Sequence, residues 1–193
     1  MSDSVRTAVI GIDLGGTKIA GAVVSADGAV LTEAQIPTEA DRGVEHVIGR
    51  IVALSRQLVA QAGVPLAALG IGAPAPLSPS RGIVWAAPNM KGWHAIPLRQ
   101  LLMDALGVPV ALENDGRAAA LAEFRLGAGW GTTNMLYITV GTGVGGALIV
   151  DGWPRHGATE TAGEVGHMVM DPQGPLCGCG NRGCSLDGLR CRN

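Results

Sequence analysis

Two glycine-rich turns set the first limit on what this chain can fold into. "GIDLGGTK", from Gly11 to Lys18, and "GTGVGG", from Gly141 to Gly146, each lie between short apolar runs. The run from Thr7 to Asp13 reads as a buried strand, and "KIAGAVVSADG" after the first turn reads as a second, closed by an Asp27-Gly28 turn. "NMLYITV" and "ALIVDG" flank the second glycine turn in the same way. Strand, glycine turn, strand is thus written twice. This weak internal duplication predicts two similar halves facing each other across a cleft, with a nucleotide held between the two turns.

The second turn formally matches GxGxxG. A dinucleotide site needs those glycines to open a helix whose N-terminus faces the pyrophosphate. "ALIVDG" follows instead and reads as a strand, and neither turn has the GxxxxGK[ST] spacing of a P-loop. What remains is a β-hairpin whose glycines let backbone N–H groups approach a phosphate. An ordinary Gly-rich hairpin is the alternative for either turn alone; Asp13 and Thr17 in one and Thr142 in the other favour phosphate for the pair.

Between the turns, Ala29 to Ile36 reads as a third strand. Val44, Val47, Ile48, Ile51, Leu54, Leu58 and Val59 then recur at helical spacing from Gly43 to Ala62, with Gly63 as the C-cap and His46 on the solvated face. "LAALGIGAP" reads as a strand entering a Pro-rich loop, Pro97 to Leu106 as a short helix, and "VPVALEND" as another strand. A helix from near Asn114 through "GRAAALAEFRLG" marks the domain junction. Alternating strands and helices predict an α/β fold.

A formal net charge of −2 gives no basic footprint for a polyphosphate backbone, so nucleic acid is not expected as a partner and a small molecule is. The opening "MSDSVRTAVIGID" lacks the apolar core of a signal peptide, and no apolar run approaches a membrane span. Three of the four cysteines are clustered, which suggests a metal site in a reducing compartment rather than a disulfide framework; the cytoplasm is the expected location.

Taken in order, "GIDLGGTK", "APNMKGW" from Ala87 to Trp93, "ENDGRAAALAE" from Glu113 to Glu123, "GTGVGG", and "GEVGH" from Gly163 to His167 followed by "CGCGNRGC" resemble the motifs of the ROK family, named for repressors, open reading frames and kinases. The resemblance covers residues 7 to 184. It implies the actin-like, ribonuclease-H-like two-domain fold of the family's sugar kinases. An N-terminal α/β domain is expected at 1–116, the beginning of a second at 117–184 and a divergent tail at 185–193. The implied activity is transfer of a phosphoryl group from ATP to a hexose, glucose being the expected one, although kinases for fructose, allose and N-acetylmannosamine share these motifs.

By that resemblance Asp13, Gly15, Gly16, Thr17, Lys18, Gly141, Thr142 and Gly143 hold nucleotide phosphates, and Mg²⁺ bridges the β- and γ-phosphates. Asn89, Asn114, Asp115, Glu164 and His167 hold the sugar, while Trp93 packs its loop. Asp115 is the catalytic base, because an attacking hydroxyl needs a positioned carboxylate to take its proton. The residues alone favour helix capping by Asn114 or Asp115; the resemblance reverses that preference, and the two roles are compatible. Gly116-Arg117 stand where the family commonly has Ala-Asn. His167, Cys177, Cys179 and Cys184 form an H-x9-C-x-C-x4-C set suited to closed, structural zinc, with a reduced-thiol cluster as the alternative. Gly178, Gly180 and Gly183 are expected to supply the tight turns, and one nitrogen of His167 to bind metal while the other faces sugar. Cys191 lies outside the pattern.

The family places a sugar-binding Glu two positions after the last zinc Cys, where this chain has Leu186, with Asp187 one residue late. The resemblance is therefore expected to stop at Cys184, with a frameshift or truncation of the gene as the expected cause and a shorter domain as the alternative. With six residues before the first strand, the helix-turn-helix of the repressor branch is not expected. A homodimer is expected of a complete family member, and a non-catalytic sugar- or zinc-binding protein is the competing reading.

Overall fold

The computed structural model describes residues 7–25, 28–74, 76–87, 89–140 and 143–185. The chain divides into two compact units, one ending at Asp115 and one beginning at Gly116.

The first unit is built on β1 (Ala8–Leu14), β2 (Lys18–Ser25) and β3 (Val30–Pro37), an antiparallel meander, followed by α1 (Val44–Ala62), β4 (Leu66–Ala73), a small sheet of β5 (Leu77–Ser78), β6 (Ile83–Ala86) and β7 (His94–Ile96), then α2 (Leu98–Leu106) and β8 (Val110–Asn114). The main sheet has the order β3-β2-β1-β4-β8, with β1, β4 and β8 parallel. The helices expected at Gly43 to Ala62 and Pro97 to Leu106 are present as α1 and α2. Ala8, Ile10, Ile12 and Leu14 point into the core while Val9, Gly11 and Asp13 are exposed, so β1 alternates rather than being buried throughout. One face of the sheet carries the core: α1 packs on β2 and β3, and α2 on β8.

The helical reading of α1 holds because Val47, Ile51, Leu54 and Leu58 recur on one face and are buried. Its end is set by Gly63, at φ 65°, whose N–H donates to the Val59 carbonyl, a conformation that costs a side chain more than it costs glycine. His46 is not on a solvated face. Its ring is half-buried and lies 2.8 Å from Glu39, which also pairs with Arg42 and Arg50 at 3.0 Å each. The Pro-rich loop after β4 resolves into the β5-β6-β7 sheet, with Leu77 opposite Val84 and Val84 opposite Ile96. Trp93 is buried beside it, as a packing residue should be. The Asp27-Gly28 turn lies partly outside the described residues.

In the second unit, α3 (Asp115–Leu126) buries Ala120 and Phe124, and β9 (Met135–Val140), β10 (Val144–Val150) and β11 (Trp153–Pro154) form an antiparallel sheet in the order β11-β10-β9. A short 3₁₀ turn at Val165–His167 follows. Leu136, Ile138 and Val140 on β9 are 54%, 52% and 64% exposed, a row of apolar side chains at a sheet edge. No helix among the described residues is long and apolar enough to cross a membrane.

Candidate functional site

The first glycine turn joins β1 to β2 as a hairpin closed by Leu14 opposite Ile19, with the Gly15 N–H donating to the Lys18 carbonyl at 2.9 Å. Among the described residues the N–H groups of Gly16 and Thr17 have no acceptor, and both residues are exposed with Lys18 next in line. The turn offers two open backbone donors beside an ammonium group, which suits an oxyanion. Thr38 fixes it. This fully buried residue donates its hydroxyl to the Gly15 carbonyl at 2.6 Å and its N–H to the Thr17 carbonyl at 2.9 Å. The sequence reading passed over Thr38, and the only signal it could have used is the polar residue following Pro37 at the end of β3.

Asp13, next to last in β1, lies at the carboxyl edge of the sheet, where ligands of open α/β sheets collect. Pairings of Asp13 with Gly72 and Gly72 with Glu113 place it in line with the end of β8. Asn114 closes β8 and is buried, and its amide donates to the exposed Asp115 carboxylate at 2.9 Å, while the Asn114 N–H donates to the Glu113 carboxylate at 2.7 Å. Burial raises the Asp13 carboxyl above the ordinary aspartate range, the charge of Asp115 raises it further, and Lys18 opposes both. Asp13 and Asp115 therefore sense each other. Such a pair of hard oxygen donors fits a divalent cation, whose charge would relieve their repulsion. Asn89 is exposed in the loop before β7, with its Cβ 3.4 Å from where a Cβ on Gly16 would stand. Asn89 and the first glycine turn are thus brought together, at the same sheet edge as Asp13, Asn114 and Asp115.

Glu164 and His167 belong to the second unit. Glu164 precedes the 3₁₀ turn and is half-buried. The segment is pressed against β10: a Cβ on Gly166 would stand 1.9 Å from the Val144 carbonyl, so only glycine fits. A Cβ on Gly146 would likewise stand 2.6 Å from the Gly163 carbonyl, which gives the last glycine of "GTGVGG" a packing role. The β9-β10 hairpin confirms that a strand, not a helix, follows the second glycine turn. Gly143 is exposed at its start; Gly141 and Thr142 lie outside the described residues. Arg117, at the departure from the family pattern, is buried, and its guanidinium donates to the Glu160 carbonyl, tying α3 to the segment that leads into "GEVGH".

His167, Cys177, Cys179 and Cys184 come together with all ligand atoms within 4.8 Å of one another. The Cys179 and Cys184 sulfurs are 3.6 Å apart, and Cys177 Sγ lies 3.8 Å from His167 Nδ1. Tetrahedral zinc with sulfur at 2.3 Å spaces its ligands by about 3.8 Å, so the set fits the ion. The backbone N–H of Asn181 holds the Cys179 thiol down at about 7, towards the thiolate a metal requires. Of the expected turn glycines, Gly180 and Gly183 adopt φ of 94° and 62°, and at Gly183 a Cβ would meet the Asp171 carbonyl at 1.6 Å. Gly178 has neither constraint. Leu186, Asp187 and Cys191 lie outside the described residues.

A glucokinase of Thermotoga maritima is 39% identical over 176 residues, which cover 91% of this chain and 55% of the relative. An N-acetylmannosamine kinase of Shigella flexneri is 37% identical over 180 residues, covering 91% and 59%. The crystal structure of a ROK family glucokinase from Streptomyces griseus in complex with glucose and AMPPNP superposes with a TM-score of 0.78 at 40% identity, over 93% of this chain and 56% of that one. The chain spans just over half the length of the relatives it matches. Its mixed sheet is the actin-like, ribonuclease-H-like α/β arrangement expected from the motifs. The ROK family profile matches residues 9–189, five residues beyond Cys184, where the resemblance was expected to stop. On that match the chain belongs to the ROK family.

Proposed function

We propose that this chain carries the phosphate turn, the sugar loop and the base of an ATP-dependent hexose kinase with glucose as its sugar. The observation that carries the reading is the clamped Asp115. It stands exposed at the carboxyl edge of the sheet, held by the Asn114 amide at 2.9 Å and electrostatically coupled to Asp13. A carboxylate so placed can accept the proton of a hexose 6-hydroxyl as its oxygen attacks the γ-phosphorus and the bond to ADP breaks.

Asn89 and Asn114 would offer amides, and Glu164 and His167 a carboxylate and an imidazole, to the sugar hydroxyls. Gly15, Gly16, Thr17 and Lys18, with Gly141, Thr142 and Gly143 of the second turn, would cradle the phosphates; Asp13 would position them and their Mg²⁺. When bound, Mg²⁺ supplies charge neutralisation between the β- and γ-phosphates. His167, Cys177, Cys179 and Cys184 would hold zinc with no open position, so that ion would order the loop and the His167 ring without activating water. In this reading residues 1–116 are the N-terminal domain, 117–184 open the second, and the protein works in the cytoplasm.

Glucose is favoured because a related ROK structure holds glucose with an ATP analogue. N-acetylmannosamine is the second reading, supported by the 37% identity of the Shigella flexneri kinase. Phosphorylation of both sugars with Mg²⁺ and ATP separates the two. It should be assayed on this chain and on a fusion that continues it with the remaining segment of the Thermotoga maritima relative. Glucose is expected to give the higher kcat/KM. A higher value for N-acetylmannosamine would move the assignment, and no transfer to any hexose by the folded fusion would remove it.

A further inference from the structure

The segment that joins β3 to α1 contains a backbone conformation that glutamate seldom adopts. Glu39 stands at φ 54° and ψ 48°, in the left-handed region, immediately before a single 3₁₀ turn at Ala40–Arg42. A non-glycine residue held there is strained, and the strain persists only where its surroundings enforce it. Here three basic side chains close on the Glu39 carboxylate. Arg42 Nη1 and His46 Nε2 lie 3.0 and 2.8 Å from Oε2, and Arg50 Nη1 lies 3.0 Å from Oε1. Positions 46 and 50 are about one turn apart on α1, so both side chains leave the same face. Arg50 also donates from Nε to the Pro37 carbonyl at 2.7 Å, and so grips the chain on both sides of Thr38. The hydrogen bond with His46, and then that from Arg42, hold the Glu39 carboxyl below its ordinary range and keep it charged towards these partners.

The strained residue lies between two backbone clamps. On one side, Thr38 bonds the Gly15 and Thr17 carbonyls of the first glycine turn. On the other, the buried Ala40 accepts at its carbonyl the N–H of Lys91 at 3.1 Å, two residues after Asn89 in the loop before β7. The turn and this loop also approach each other directly, since a Cβ on Gly16 would stand 3.4 Å from the Asn89 Cβ. We propose that Glu39 is a positioning residue, whose caged left-handed backbone keeps the first glycine turn and the Asn89 loop in register so that a phosphate on one and a sugar hydroxyl on the other are presented together. Were φ to relax to the negative range that glutamate prefers, the chain would change direction between Thr38 and Ala40 and the two clamps could not both be kept. What this brace serves rests on the kinase reading; that the brace exists does not.

Amide hydrogen exchange of the full chain, resolved by residue, tests it without any ligand. The Thr38 N–H reports the turn and the Lys91 N–H the loop, while the Leu69 N–H, bonded to the Pro109 carbonyl at 3.0 Å, reports the stability of the sheet. Asparagine tolerates the left-handed region but is too short to reach the three partners, so Glu39→Asn removes the cage and spares the backbone. It should speed exchange at Thr38 and Lys91 together by about 10-fold or more, with Leu69 changed by less than about threefold. Arg50→Gln leaves Glu39 in place and should speed the same two amides by less, and it stands in should Glu39→Asn not fold. Glu39→Gln keeps the length and should recover part of the protection. In the fusion, Glu39→Asn should raise KM for both ATP and glucose about threefold or more, with kcat changed less. Equal acceleration of all three amides would make Glu39 a stabilising residue only and overturn the proposal. So would Thr38 released with Lys91 unchanged, an Asn variant that exchanges like wild type, or a KM that rises for ATP alone. Thr38 and Lys91 released together in a fusion that transfers no phosphate would uphold the brace and remove the kinase reading.

Discussion

Thr38 donates its hydroxyl to the carbonyl of Gly15 at 2.6 Å, and with its N–H on the Thr17 carbonyl it holds both ends of the first glycine turn. Thr38→Val keeps the shape and removes the donor, leaving the Gly15 carbonyl unsatisfied at a site where the side chain is fully buried. The variant should lose about 1–3 kcal/mol in denaturant melts. In the fusion its KM for ATP should rise more than its kcat falls. Thr38→Ser retains the donor and should recover the KM.

Much of this fold was legible because strong local patterns agreed with the tertiary outcome. Val47, Ile51, Leu54 and Leu58 announced α1, and Gly63 its end. The β5-β6-β7 sheet escaped because its strands run for only two to four residues between prolines, too short for a period to show. Thr38 and the buried Arg117 escaped for a different reason. A residue whose role is a bond to a carbonyl 23 or 43 positions away leaves no local signature. His46 was misread because helical spacing placed it off the core face, whereas Glu39, held at φ 54° before α1, turns a carboxylate towards it. The coming together of His167, Cys177, Cys179 and Cys184 was readable because the three cysteines lie within eight residues.

The coupling of Asp13 to Asp115 should be visible by titration. Folding raises the Asp13 carboxyl above its ordinary value of 3.8, so the folded state holds this proton more tightly than the unfolded one. Stability from this group is therefore greatest in acid, falls as pH rises from 3.8 through the folded value, and is flat above it. Asp13→Asn removes that slope and should melt higher than wild type at neutral pH, with the advantage gone below the window. Carbon-detected NMR of Asp115→Asn should show Asp13 titrating lower than in wild type, and an unchanged Asp13 would mean that burial alone raises it.

Metal analysis should find a single zinc in protein prepared without chelator. Cys177→Ser and Cys184→Ser should lose it and loosen the second unit, because each removes one of four ligands from a closed set. Cys191→Ser should keep it. Affinity should fall as pH is lowered, since thiolates must be regenerated from thiols on binding. Zinc retained after both ligand substitutions would reassign the cluster as reduced thiols.

The exposed row on β9 should limit solubility. Ile138→Lys places a charge at the middle of the apolar edge, where Leu136 and Val140 are also more than half exposed. It should raise the soluble yield of this chain without shifting the melting of the first unit. An unchanged yield would mean that this face is not the surface through which the chain aggregates.

The central claim is that Asp115 takes the proton of the sugar hydroxyl, and the kcat of Asp115→Asn beside its glucose affinity by calorimetry is its most direct test. The measurement belongs on whichever form, chain or fusion, phosphorylates glucose. The account predicts a loss of kcat of about 10²-fold or more, with glucose affinity changed only a few-fold, because the amide keeps the size and hydrogen bonding of the carboxylate but cannot accept a proton. A variant that keeps more than about a twentieth of wild-type kcat, well short of the loss expected for a positioned base, would contradict it and leave Asp115 as the residue that opens its helix.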